Sequence, residues 1–98
     1  MRTTTQGSDS LLRALRVAAD VVATVGEERI ETVAVHCGRI SLHPNHLAEG
    51  EQIAKLLGCS FAMDHRMLVP GSTDWSGDFD GYEVHVRAEL RRLVGALG

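Results

Sequence analysis

Apolar and polar residues alternate with two different periods along this chain. Over residues 8–25, Leu11, Leu12, Leu15, Ala18, Ala19, Val22 and Val25 recur at the i, i+3, i+4, i+7 spacing of one helix face. Ser8 stands where an N-cap hydroxyl can accept a free backbone N–H, Asp9 adds negative charge to the first turn, and Gly26 offers a stop. Arg13, Arg16, Asp20 and Thr24 fall largely off the apolar stripe. Such a helix needs a partner surface, most simply a sheet. Residues 1–7 read as a polar tail before a single domain over 8–98.

The period then changes to two. Thr32-Val33-Ala34-Val35-His36-Cys37 is β-prone, and Ile40-Ser41-Leu42-His43 follows the pair Gly38-Arg39. A glycine in the first loop position suits a type II′ hairpin turn. That register pairs Cys37 with Ile40 and Val35 with Leu42, all on one face. His43-Pro44-Asn45 opens a second helix, with Pro44 in the first turn, where its missing N–H costs nothing. Its inner stripe is Leu47, Gly50, Ile53, Ala54 and Leu57, and Gly58 ends it. Gly50 either lets this helix approach the sheet closely or weakens it by ~1 kcal/mol. A third strand begins at Cys59, reaches toward Leu68, and turns Phe61 and Met63 inward before the turn at Pro70-Gly71.

From Trp75 to Val86 the pattern predicts a hairpin closed by Asp80-Gly81. A type I′ turn needs positive φ at both central positions, which this pair tolerates. Phe79 then faces Tyr82, Gly77 faces Val84, and Trp75 faces Val86. Three of the four aromatic residues share that face, marking it as the buried one. Leu90, Leu93, Val94 and Leu97 fall at helical spacing in a short last helix over 88–97.

The predicted order is α-β-β-α-β-β-β-α. The fold class is α+β: an antiparallel sheet of about five strands with helices packed on one face. The segment Val33–Val86 resembles small uncharacterised α+β proteins of actinobacteria and their phages. The resembling features are a hairpin ending in Ser41-Leu42-His43, a helix ending in Leu56-Leu57-Gly58, and Trp75-x-Gly77-x-x-x-Gly81-x-x-Val84-x-Val86. The resemblance implies a fold and carries no activity.

At 98 residues the chain has room for one core and little spare stability. The formal charge of −3 argues against nucleic acid as the main partner. Lys55 is the only lysine among the basic residues. No apolar run is long enough to span a bilayer, and the start lacks a secretory pattern. Two cysteines do not make a disulfide scaffold, so reduced thiols and a cytoplasmic protein are expected.

Four kinds of chemistry suggest themselves. His36, His43 and His46 are zinc-ligand types, and His43-x-x-His46 has a ligand-like spacing, but no matched second pair accompanies it. Asp74, Ser76, Asp78 and His85 share the outward face of the last hairpin, with Ser76 opposite His85. A triad also needs an oriented base, a water-excluding pocket and oxyanion donors, and a regular sheet face supplies none. Asp74, Asp78, Asp80 and Glu83 cluster around one hairpin end, with Asp78 opposite Glu83, a mildly destabilising pair that Arg87 opposite Asp74 partly offsets. Arginines are scattered among acids, with no helix-turn-helix.

The expected function is therefore protein–protein contact: a non-enzymatic adaptor or regulatory domain, self-associating as a homodimer or binding another protein, with a phage connection and no cofactor. The contact residues are Leu90, Leu93 and Leu97 with Asp78, Asp80 and Glu83. Nucleic-acid binding through an arginine-bearing face is the first alternative. Zinc binding or metal-dependent hydrolysis through the outward histidines is the second.

Overall fold

The computed structural model describes residues 2–36 and 38–92. Helix α1 (Arg2–Val25) is followed by a 3-10 turn (Glu27–Arg29) and a hairpin of β1 (Ile30–His36) and β2 (Arg39–Pro44). A second 3-10 turn (Leu47–Glu49) leads into α2 (Gly50–Leu56), then β3 (Phe61–His65), β4 (Ser72–Phe79) and β5 (Tyr82–Glu89). The fold is α+β, with a five-stranded sheet in the order β1-β2-β5-β4-β3.

The β4–β5 hairpin forms as its turn chemistry requires. Asp80 and Gly81 have φ of 51° and 86°, the left-handed values of a type I′ turn. Phe79 faces Tyr82, Gly77 faces Val84 and Trp75 faces Val86. Trp75, Tyr82, Val84, Val86 and Ala88 are buried.

The sheet is mixed, not antiparallel throughout. β2 and β5 run parallel, with Ile40 beside Val84 and Leu42 beside Val86. β2 needs a partner on its inner side, and the meander β3-β4-β5 brings β5 there after the chain has crossed through α2. The register keeps four apolar side chains on one face, which specifies it.

Both helices cover that face. Ala14, Val17, Ala18, Val21 and Val25 of α1 share one buried cluster with Ile40, Leu42, Val84 and Val86, and with Ile53, Ala54 and Leu57 around α2. The buried stripe of α1 is thus turned from the expected one. Small residues lie on the sheet, while Leu11, Leu12 and Leu15 stay exposed. α1 also starts at Arg2, so Ser8 lies inside the helix and is not its N-cap. Gly26 ends it with φ of 106°, its N–H donating to the Val22 carbonyl.

Other expectations shift locally. The first hairpin closes on His36 and Arg39, so Val35 faces Ile40 and Val33 faces Leu42. The slip is two residues from the expected pairing, so the inward parity survives. Residue 37 lies outside the described residues. Pro44 ends β2, buried, and does not open a helix; the chain turns again only at Leu47. Gly50 settles between its two readings: a Cβ there would lie 2.5 Å from both Ala88 Cβ and the Arg87 carbonyl oxygen. There α2 packs directly on the backbone of β5. Finally, Ala88 and Glu89 continue β5 and are not the start of a helix; Leu93 and Leu97 lie outside the described residues.

The largest correction concerns β3. Ala62 pairs with Trp75 and Asp64 with Thr73 on the helix-covered side, so Phe61 and Met63 point to the opposite face. The parity is set by a polar anchor. Asp64 accepts hydrogen bonds from the Thr73 hydroxyl at 2.8 Å and from Arg91 Nε at 3.1 Å, while the Arg91 backbone N–H donates to Thr73 Oγ1 at 3.0 Å. Charge-assisted bonds of this kind outweigh the gain from turning Phe61 inward at a sheet edge.

Candidate functional site

The face without helices is a polar ladder with an apolar margin. Register places Ser41, His85, Ser76 and Phe61 in one row across β2, β5, β4 and β3. Asp74 and Met63 lie together in the next row, with Arg87 opposite Asp74. A shallow concavity of about 340 Å³ opens here, with His43, His65, His85, Arg39 and Arg87 on its walls.

His85 is its centre. Nδ1 lies 2.8 Å from Asp74 Oδ2, a short hydrogen bond that orients the ring. Nε2 lies 3.1 Å from Glu83 Oε2, outside hydrogen-bonding geometry, and is buried without a partner among the described residues. A carboxylate thus sits on each side of the ring. This differs from a hydrolytic triad, in which the second nitrogen faces a hydroxyl nucleophile. Ser76 is the cross-strand neighbour of His85 as expected, yet the carboxylate, not the serine, occupies the space at Nε2.

The acidic end forms as read. Asp78 faces Glu83 across the hairpin, and Asp78, Asp80 and Glu83 are exposed. Arg39 lies 3.8 Å from Glu83 and relieves part of the repulsion.

His36, His43 and His46, the candidate metal ligands, are not brought together. His36 pairs with Arg39 and His43 with Thr32, so the two share a face but lie at opposite ends of the hairpin, on the order of 13 Å apart at strand rise. His43 Nε2 is 3.6 Å from Glu31 instead. His46 lies beyond the strand and is exposed. Among the described residues no group of three or more His, Cys, Asp or Glu side chains is arranged to hold a metal ion.

Several arginines are already engaged. Arg29 meets Glu49, Arg66 and Arg91 meet Asp64, and Arg13 stacks 5.9 Å from the Tyr82 ring centroid. Leu90, expected as a contact residue, is half-buried beside Gly71, where its Cδ2 would sit 3.1 Å from an added Cβ.

Two titratable groups are perturbed. Burial pushes the Cys59 thiol up to about 11, and the charges of Asp74 and Asp78 add to this. With Sγ sealed 3.7 Å from the Val84 carbonyl, it is a packing residue and a poor nucleophile. Hydrogen bonds from Arg91 and Thr73 hold the Asp64 carboxyl below its ordinary value.

The residues that the sequence pattern missed are apolar. Phe61 is 62% exposed and Met63 50%, and the loop beyond β3 adds Met67, Leu68 and Val69, the last 98% exposed. Three consecutive apolar residues just before Pro70-Gly71 could have signalled this. Consecutive loop side chains cannot all turn inward. Compared with protein-family models, curated proteins and solved structures, the chain matches none of them. No helix among the described residues is long and apolar enough to cross a membrane.

Proposed function

We propose that this domain is a non-enzymatic protein-interaction module that receives a partner protein along β3. One observation carries the reading: Phe61, Met63, Met67, Leu68 and Val69 are all at least half exposed, on the outermost strand and the loop that follows it. Exposed apolar side chains concentrated in one place mark an interaction surface. Among the described residues β3 pairs with β4 alone, so its outer backbone groups are open to an extended segment of a partner. Such a segment adds as a further strand: main-chain hydrogen bonds hold it, and Phe61 and Met63 select its alternate side chains. The acidic end at Asp78, Asp80 and Glu83 borders the same face and favours a partner that is basic there.

Site-specific photo-crosslinking in the native host tests this. A crosslinker at Met63 or Leu68 should yield one discrete partner adduct. The adduct should vanish when Phe61→Asp is added, and a crosslinker at Lys55 should not give it. Adducts of equal yield at Lys55 and Met63, or none at Met63 and Leu68, would reject the proposal. Phe61 is exposed, so Phe61→Asp should fold normally.

A further inference from the structure

The opposite flank of the sheet carries a different surface. α1 is apolar over two stripes. One packs on the sheet through Ala14, Val17, Ala18, Val21 and Val25. The other runs beside it and meets the underside of β1. Between them lies a groove of about 630 Å³ lined by Leu15, Ala19, Val22, Ala23, Val33 and Val35. Leu15 is 48% exposed and Val33 36%. A helix that serves only its own sheet needs one apolar stripe.

β1 is the second edge of the sheet. Natural edges are blunted by proline, lysine or inward charge, and Thr32-Val33-Ala34-Val35 has none of these. Because a two-residue loop closes the hairpin on His36 and Arg39, residues 32, 34 and 36 bond to β2, while Val33 and Val35 turn their backbone N–H and C=O outward.

We infer that the β1 edge and the α1–β1 groove bind a second copy of this chain through a two-fold axis at Ala34. Antiparallel pairing about that residue sets Val33 against Val35 of the copy, twice, in hydrogen-bonded pairs. Ala34 meets its own equivalent in the close, non-hydrogen-bonded position, where a small side chain fits. Four valines then close over the two grooves, and the two α1 helices flank the axis with Leu15, Ala19 and Val22. Charge agrees with this direction. Each strand starts among Glu27, Glu28 and Glu31 and ends at His36 and Arg39, so antiparallel pairing lays the acidic end of one beside the basic end of the other. The contact is isologous and closes on itself, leaving β3 of both copies outermost. It does not depend on the partner proposed for β3.

Sedimentation equilibrium of the full chain, with Val33→Glu and Leu15→Glu variants, tests the contact, together with disulfide trapping of Ala34→Cys in a Cys37→Ser background. The full chain should be a dimer, and each glutamate, present twice per dimer, should raise its Kd at least ~100-fold. Both substituted side chains are exposed, so circular dichroism should stay unchanged. Cα atoms in a close antiparallel pair stand ~4.5 Å apart, within disulfide reach, so Ala34→Cys should oxidise to a covalent dimer while Ser76→Cys does not. A monomer at all concentrations overturns the inference. So does a dimer that keeps its Kd in Val33→Glu and Leu15→Glu, or one that Ala34→Cys fails to trap.

Discussion

Gly50 of α2 lies directly against Ala88 of β5, so close that a Cβ on residue 50 would come within 2.5 Å of the Ala88 Cβ. The other obstacle, the Arg87 carbonyl, is backbone and cannot swing aside. Alanine would improve helix propensity by ~1 kcal/mol, but overpacking costs more than that where the neighbours are fixed. Gly50→Ala should therefore destabilise the domain by ~1–3 kcal/mol. Chemical denaturation decides the matter, and a variant more stable than wild type would show that α2 does not seat as described.

Trp75 is buried on β4 with the Arg91 guanidinium 5.7 Å from its ring centroid, yet its Nε1 finds no acceptor among the described residues. Its contribution is then apolar volume and not a hydrogen bond. Trp75→Ala should cost ~3–5 kcal/mol and leave so small a domain largely unfolded. Trp75→Phe loses less volume and also removes an unpaired polar group, so it should cost much less. Equal melting temperatures for the two variants would argue against this division.

Alkaline pH should weaken the fold through Cys59. Its thiol is raised from 9.0 to about 11, chiefly by burial. Between those values the native protein keeps a proton that the unfolded chain has lost. The stabilisation is full below pH 9 and is lost as pH rises through 11, to a total of ~2–3 kcal/mol. Urea midpoints at pH 8 and 10.5 should differ in the wild type and differ less in Cys59→Ala. An identical pH slope in both proteins would place the alkaline effect elsewhere.

Acid acts through Asp64, whose carboxyl is lowered from 3.8 by the Arg91 and Thr73 hydrogen bonds. Its contribution is present above the ordinary carboxylate value and fades as pH falls through the lowered one. Carboxyl-carbon NMR should give Asp64 a midpoint below 3.8 that rises in Arg91→Ala. A midpoint unmoved by that substitution would mean that Arg91 does not hold the carboxylate in solution.

Local chemistry made some of this architecture readable in advance. Asp80-Gly81 demands one turn geometry, and the flanking alternation of Trp75, Phe79, Tyr82 and Val84 agrees with it, so the β4–β5 hairpin and its buried face follow from adjacent residues. In the first hairpin, alternation holds the parity of Val35, Ile40 and Leu42, but several loop pairs around Gly38 satisfy it, so the pairing slips by two. α1 was legible as a helix but not in rotation, because it is apolar over two stripes and periodicity alone does not say which one meets the sheet. The outward turn of Phe61 and Met63 was hidden because it depends on Asp64 finding Thr73 and Arg91, which lie in other elements. The acidic end was visible through the same hairpin register, whereas the apolar margin along β3 required that parity first.

The parallel seam between β2 and β5 bears on when this protein can become itself. The two hairpins are local and close without each other, but Ile40 cannot dock until Val84 exists. Long-range closure of this kind slows folding. During synthesis β2 waits with its inner backbone groups bare until nearly all of the described chain has been made. A chain stopped at Gly81 lacks β5 and keeps that gap open, an exposed strand edge of the sort that recruits other chains. Such a fragment should aggregate where the whole chain does not, as light scattering would report. The last of the described strands to be translated is thus the one that joins the two halves of the sheet.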